Sequence, residues 1–585
     1  MKNDYIVKKL YISFVVVSIL SALTATAGML IDNIVVGAFL GDDALGAMGI
    51  VGPISLIFSA FGNICSGGGT ARAAQALGKG EIDKVRQIFT VTMIFVIVSG
   101  LLLTLVGVFF TPQIATFLGA KGELLEPTVD YLRGFFLGAI PTIMLTALAG
   151  FVKIDGSPRL PLVSIVVMSV ANIILDLMMV MVFDAGMYGM ALATTISYVL
   201  AVLTSCTHFL KKTSTLGLAK PIKGGKEMMS MVTTGAPTAI SRICDTIKVM
   251  VLNNILVLFV SVGAVTALNV RTQANNFFGA FIMGLAQASV PLLGMFYGEE
   301  DKTAIKDTLK NTLRIGIIMN GLIGVVLFII SPLFVDMMNI TDPEIRNMAI
   351  LAVRLFAVGM PLTLINTAMM SYYQSTRSTG MATIICITQS LVYTVVLAVL
   401  LVKPLGHMGA WVAFLGAEVF TILTILVATI LRNKRFPTKL EDFLKLSDDL
   451  GADSTNKLEL SIGNSMEEVM KISEGINKFG KGRNISEKLL MELSLCIEEM
   501  GGNVIQHAFK PGAKQWFDML ILDKEDSLVV RVRDNGAPFD PTKYWEEEQN
   551  DELRYGIRMI QGMASRMEYR RTIGLNNLII VLDKE

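Results

Sequence analysis

The stretch Ala44–Gln87, ALGAMGIVGPISLIFSAFGNICSGGGTARAAQALGKGEIDKVRQ, aligns without gaps on Ala264–Asp307, AVTALNVRTQANNFFGAFIMGLAQASVPLLGMFYGEEDKTAIKD. The offset of 220 residues sets Phe58 on Phe278, Phe61 on Phe281 and Gly78 on Gly298. At the same offset Gly186–Ala193 (GMYGMALA) meets Gly406–Ala413 (GHMGAWVA). Two copies of one hydrophobic half-unit predict a membrane carrier built from repeats, with its binding site where they meet.

The charge balance divides the chain near Phe436. Residues 1–435 carry 30 Lys and Arg against 22 Asp and Glu, whereas residues 436–585 carry 20 against 27. A charge-poor membrane unit is therefore followed by an acidic, soluble-looking one, and neither has the basic face of a nucleic-acid binder. The five cysteines (Cys65, Cys206, Cys244, Cys386, Cys496) are scattered without a CxxC, and three histidines are too few for a His-rich site. A disulfide framework and a zinc site are excluded. Lys8 and Lys9 before an apolar run, with Ala25-Thr26-Ala27 behind it, imitate a secretory leader. The run continues past Asp32, so we read it as the first membrane span.

Twelve apolar segments of spanning length follow: 11–40, 44–70, 88–111, 128–152, 159–183, 187–210, 230–260, 264–297, 311–335, 345–373, 380–402 and 408–431. The expected architecture is an all-α polytopic unit of two six-helix repeats. The N-lobe is assigned to residues 1–219 and the C-lobe to 220–435. Pro141, Pro237, Pro291 and Pro361 fall inside or near span ends and are expected to disrupt the helices there. Basic residues gather in the even-numbered connections (Lys79, Lys84, Arg86; Lys153, Arg159; Lys211, Lys212, Lys220; Lys302, Lys306, Lys310; Arg377). That places both termini in the cytoplasm.

Asp32 lies deep in the first span, and a carboxylate there must be paired, protonated or ion-bound. Asn172 and Asp176, four residues apart, project from one face of the fifth span. Together the three could take a proton or Na⁺ through oxygens, or could form a buried network that only holds helices. Asp245, in GAPTAISRICD, has Arg242 and Lys248 three positions to either side. It reads equally as a substrate-side acid or a local ion pair. Glu418, with Arg271 and Arg354 as candidate partners, reads as a structural pairing. The 34 methionines suit an adaptable cavity as well as plain core filling.

The stretches MLIDNIVVGAFLGDDALGAMGI and NIILDLMMVMVFDAGMYGMALAT, with the repeat, resemble the multidrug and toxic compound extrusion (MATE) family over about residues 10–432. The resemblance implies an antiporter that expels small organic, often cationic, compounds against entry of H⁺ or Na⁺. Asp32, Asn172 and Asp176 match that family's ion-site residues, and Asp245 has the spacing of an acid on its seventh helix.

A polar linker, residues 436–456, leads to an α/β sandwich at 457–585. Strands are expected at Leu458–Ile462, Gln515–Asp523, Ser527–Arg533, Met567–Thr572 and Asn577–Leu582. Helices are expected from the capping box Ser465-Met466-Glu467-Glu468, over Ser486–Ala508, and from Gly556. LCIEEMGGNVIQHAF spaces Glu499, Asn503 and His507 by four along one face. VVRVRDNGAPFDP places Asp534 and Gly536 in a turn after a strand, and LRYGIRMIQ opens a helix at Gly556 whose N-terminus can face phosphates.

This order of motifs resembles the GHKL-type ATPase fold, nearest to anti-sigma-factor serine kinases. The resemblance implies that Asn503 holds Mg²⁺ and that Glu499 activates the attacking hydroxyl or water. Asp534 would read adenine, and His507, Gly536 and Gly556 would complete an ATP pocket. The third motif keeps one glycine where relatives carry GxG or more, and Arg554 and Tyr555 restrict the backbone, so turnover is expected to be slow or absent.

The whole reads as an ion-coupled exporter with a cytoplasmic ATP-binding regulatory domain, set in a bacterial-type inner membrane as a monomer. One alternative is a membrane sensor whose tail phosphorylates serine on an anti-anti-sigma-like protein partner. Another is a flippase for a lipid-linked substrate.

Overall fold

A computed structural model of the chain describes residues 4–584 apart from 212–213, 221–223, 339, 341, 446–455, 481–482, 484, 510–513, 525 and 544–552. Residues 446–455 of the expected linker therefore lie outside the described residues, as does the side chain of Arg554. Two compact units are present. One comprises Met1–Leu10, Glu300–Asp307 and Ser447–Glu585, the other Tyr11–Glu299 and Thr308–Leu446.

The larger unit is helical. Its first half runs through α1 (Tyr5–Phe39), α2 (Asp42–Asn63), α3 (Thr70–Lys79), α4 (Ile82–Phe109), the short α5 (Thr111–Phe117), α6 (Leu125–Leu137), α7 (Ala139–Ile154), α8 (Leu160–Met181) and α9 (Gly186–Cys206). The second half runs through α10 (Gly224–Phe259), α11 (Val262–Gly298), α12 (Lys302–Asp336), α13 (Pro343–Ser375), α14 (Thr379–Ile387), α15 (Tyr393–Leu405) and α16 (His407–Asn433). Among the described residues, ten helical rods are long and apolar enough to cross a bilayer, and α6 with α7, bent by 47°, would make an eleventh. The remaining rod, α10, has the length at 36 residues but carries Arg242, Asp245 and Lys248. Large apolar side chains such as Leu102 (60 % exposed) and Ile329 (68 %) point outward, as a lipid-facing surface requires.

The prolines do not disrupt these helices as expected. Pro237, Pro291 and Pro361 lie inside continuous α10, α11 and α13, and only Pro141 stands near a bend. A missing N–H costs one ladder bond, which a long rod packed on its neighbours can absorb. The irregular turns come instead at π-helical stretches, Ile64–Gly69 between α2 and α3 and Thr388–Val392 between α14 and α15. Local caps agree with sequence chemistry. Ser261 accepts from Ala264 N at the start of α11, and Asp342 accepts from Glu344 N and Ile345 N with Pro343 in the first turn of α13.

The repeat has a physical counterpart. A Cβ added at Gly78 would lie 2.2 Å from Met295 O, and one added at Gly298 would lie 2.1 Å from Gln75 O. Residues 75 and 295, like 78 and 298, differ by the repeat offset, so α3 and the end of α11 meet in a reciprocal backbone contact. Gln75 also donates to Ser375 O (2.7 Å) and accepts from Arg377 Nε (2.9 Å).

Beyond α9 the chain is fastened back by Asp155 at the end of α7. Its carboxylate accepts from His208 Nε2 (2.7 Å), Ser214 Oγ (2.7 Å) and Thr215 N (3.1 Å). Burial pushes the Asp155 carboxyl upward, but these donors outweigh it and hold the group below its usual range.

The smaller unit contains a five-stranded antiparallel sheet in the order β1 (Lys457–Gly463), β2 (Trp516–Asp523), β3 (Ser527–Asp534), β5 (Leu575–Asp583), β4 (Arg566–Thr572). Helices α17 (Met466–Gly480), α18 (Glu487–Asn503) and α19 (Leu553–Met563) supply its α layer. Alternation along β3 sends Leu528, Val530 and Val532 into the core with Phe517, Met519 and Ile580, beside Ile497 of α18 and Ile557 of α19. Cys496 is sealed in this core and its thiol is pushed up to about 12 by burial, so it packs as a small apolar group.

Two details differ from expectation. Glu468 reaches past the cap residue Ser465 to accept from Gly463 N. Helix α19 begins at Leu553, which puts Gly556 inside its first turn and not at its start.

Candidate functional site

In the helical unit, α1 and α8 bring the expected acids together. Asn172 Nδ2 donates to Asp176 Oδ2 at 3.0 Å, and the carboxyl groups of Asp32 and Asp176 come within hydrogen-bonding reach of each other. Asp176 is fully buried and Asn172 is 6 % exposed. Asp32 Oδ1 and Asp176 Oδ1 are buried and without a partner. Two adjacent carboxylates in an apolar bundle repel unless a proton or cation lies between them, and the orphaned oxygens fit a proton or a hard cation.

The second half is arranged differently from the sequence expectation. Glu418 is not paired with arginine. Its carboxylate accepts from Thr363 Oγ1 (2.9 Å), Asn366 Nδ2 (2.7 Å) and Gln389 Nε2 (3.0 Å). Arg271 instead stacks over the Phe414 ring at 3.4 Å, and Arg354 donates to Ser331 Oγ beside Phe328. Aromatic faces and a hydroxyl satisfy the guanidinium groups, leaving Glu418 to the amides. Asp245 pairs with Lys248 at 2.6 Å, one turn along α10, so its charge is met locally.

In the smaller unit, Asp534 ends β3 and is 5 % exposed. Its Oδ1 accepts from Gly536 N (2.7 Å) and from Asn576 Nδ2 (2.8 Å). Burial raises the Asp534 carboxyl above its usual range despite those two donors. Asn576 is itself held, donating to Ala537 O (2.9 Å) and accepting from Tyr569 OH (2.8 Å) and Arg571 Nη1 (2.6 Å). Gly536 is pressed on the end of the preceding helix, where a Cβ would fall 2.3 Å from Ala508 O.

Glu499 on α18 faces the first turn of α19. A Cβ at Gly556 would lie 2.0 Å from its Oε2, so a larger residue there would push that carboxylate aside. Asn503 closes α18 with Nδ2 buried and unpartnered. The helix does not carry His507 onto the same face. Val504–Ala508 form a π turn and His507 is exposed. Glu499, Asn503 and Gly556 thus cluster at the α18–α19 end, with Asp534 and Gly536 fixed by β5. Asn503's orphaned donor and the glycine cradle fit a phosphate-bearing ligand.

Residues 18–178 and 237–400 match the MatE family. The chain belongs to that family. Residues 463–582 match the histidine kinase-like ATPase domain, so this MatE chain carries an ATPase-like domain behind its helices. Among its relatives, Multidrug export protein MepA of Staphylococcus saprophyticus is 27 % identical over 427 residues, covering 72 % of this chain and 93 % of that protein. MepA of Staphylococcus aureus (strain bovine RF122) is 28 % identical over 408 residues, 69 % and 89 % respectively. Its fold is shared with the outward-facing conformation of a multidrug resistance MATE family transporter of the MOP superfamily, at TM-score 0.68 and 20 % identity over 73 % of this chain and 96 % of that one. A MOP superfamily transporter from Pyrococcus furiosus superposes at TM-score 0.69 with 19 % identity, again over 73 % and 96 %.

In the MatE unit, Asn366 and Gln389 are the residues that sequence reading missed, because an amide in an apolar helix gives no signal unless its acid is known. In the tail, Asn576 was visible within the GLNNL ending but was not singled out. It fixes the carboxylate that the DNG turn presents.

Proposed function

We propose that this MatE chain is an ion-coupled antiporter that exports small organic compounds, cations among them, in exchange for H⁺ or Na⁺. The reading rests above all on Asp32 and Asp176, an acid pair on different helices in which each carboxylate keeps one buried, orphaned oxygen. Such a pair binds a proton or cation in one state and must release it in another, which is what coupling requires. The names of its relatives, multidrug export proteins, support the substrate class. The charge asymmetry of the loops supports cytoplasmic termini in a bacterial-type inner membrane, and the repeat supports division into lobes at 1–219 and 220–435.

The tail, 457–585, is proposed to bind Mg·ATP and to regulate the carrier. Asn503 would meet the metal and phosphates, Asp534 the adenine amino group, and Gly556 would let the backbone approach. The deciding experiment is flux in proteoliposomes. An inward H⁺ or Na⁺ gradient should drive ethidium out of the vesicles against its own gradient, and Asp32→Asn should end it. Ethidium movement indifferent to both ions would refute coupling.

A further inference from the structure

We propose that nucleotide occupancy of the tail is coupled, through the strand pair β3–β5, to a grip on residues 300–307, the connection between α11 and α12. This rests on the nucleotide reading above.

The sheet has two faces and its register links them. Asp534 stands opposite Asn576, and one step along, Arg533 stands opposite Asn577. Successive side chains alternate across a sheet. The first pair therefore faces the α layer and the candidate nucleotide site, while the second pair faces away. On that far side Arg533 Nε donates to Asn577 Oδ1 at 3.0 Å, and Arg533 is 1 % exposed.

Residues 300–307 belong to the same compact unit, and Asp301 meets this face. Its Oδ2 accepts from Arg531 Nη2 (2.7 Å) and Arg533 Nη1 (3.3 Å), with the side chain 3 % exposed. Its Oδ1 accepts from Ala304 N at 2.9 Å, capping the first turn of α12. Nearby, Thr303 Oγ1 donates to Glu459 Oε1 on β1 at 3.2 Å.

One carboxylate thus caps the start of α12, within the smaller unit, and holds two arginines of the tail. Arg533 and Asn577 are covalent neighbours of the two residues that fix the nucleotide-facing turn. A backbone shift at Asp534 and Asn576 on binding a base carries Arg533 and Asn577 with it, since neighbouring strand residues share one backbone. An ion pair this buried fixes geometry more than it adds stability, which suits a relay. The coupling is reciprocal: whatever the nucleotide does to the grip, the grip does to nucleotide affinity.

The test uses the full chain in nanodiscs, titrated calorimetrically with Mg·ATP. Asp301→Asn keeps a cap for α12, because asparagine caps as well as aspartate, and removes only the charge that holds the arginines. It should change ATP affinity about fivefold or more. Arg531→Gln, on a less buried partner, should shift it the same way. The double variant should add little further, and Asp301→Glu should restore part of the difference. Wild-type affinity in both single variants would overturn the coupling while leaving the nucleotide site standing. Absence of Mg·ATP binding by the wild-type chain would remove the nucleotide reading and this inference together.

Discussion

Asp32 is a half-buried acid with one buried, unpartnered oxygen and Asp534 a buried one, and their surroundings suit them to different tasks. Asp32 and its neighbour Asp176 keep orphaned oxygens among apolar helices, a state that demands a mobile charge. Asp32→Asn and Asp176→Asn should each abolish ion-driven ethidium flux while leaving the protein monodisperse in size-exclusion chromatography. Retained flux in both would assign coupling elsewhere. Asp534 instead has fixed donors, Gly536 N and Asn576 Nδ2, and under the proposed reading its remaining acceptor capacity would take an adenine amino group. Asp534→Ala should weaken Mg·ATP binding roughly 10- to 100-fold, the cost of about 1–3 kcal/mol for an unmade buried hydrogen bond. The pH dependence has a definite sign. Because burial raises the Asp534 carboxyl, it protonates above the ordinary aspartate value of about 3.9. ATP affinity should therefore fall with pH before ordinary carboxylates titrate, and Asp534→Ala should flatten that part of the profile.

Elements were read more successfully than the contacts between them. The strands of the tail follow from period-two alternation such as Leu528, Val530, Val532, and they form within one or two residues of expectation. The acid pair was legible because a carboxylate in an apolar span is conspicuous. The π turn that exposes His507 was not, since VIQHA continues the helical pattern and only packing reveals the extra residue. The arginine partners read for Glu418 form no direct ion pair with it, though Arg271 lies within reach of its charge: charge invites charge in a sequence, whereas Phe414 and Ser331 meet the guanidinium groups in space. The Asp155 hub was likewise unread, its donors lying 53 to 60 residues away. With its folded pKa depressed, Asp155 contributes stability above its unfolded pKa, and that contribution is lost as pH falls through the folded value. Asp155→Ala should strand buried His208 and Thr215 and cost about 3 kcal/mol at neutral pH. The check is a thermal melt of the solubilised protein, where an unchanged melting temperature would mean the hub is idle.

At the scale of the molecule, the tail's apolar core and the transport helices answer to different solvents, and their stabilities should separate. Ile580→Ala removes a fully buried side chain from β5, and should lower tail stability by about 2–5 kcal/mol in urea. Ion-driven flux without ATP should be unaffected. Loss of that basal flux would show that the carrier depends on a folded tail.

The mirrored glycines of α3 and α11 carry a further implication for motion. Helices that touch backbone to backbone can roll on each other, but they cannot part there without opening a void that no side chain fills. Gly78 and Gly298 therefore mark the point where a relative tilt of α3 and α11 would displace them least, and any such displacement would grow with distance from it. A single methyl at Gly78 would be a wedge at that point, forcing Met295 O and the end of α11 away from α3.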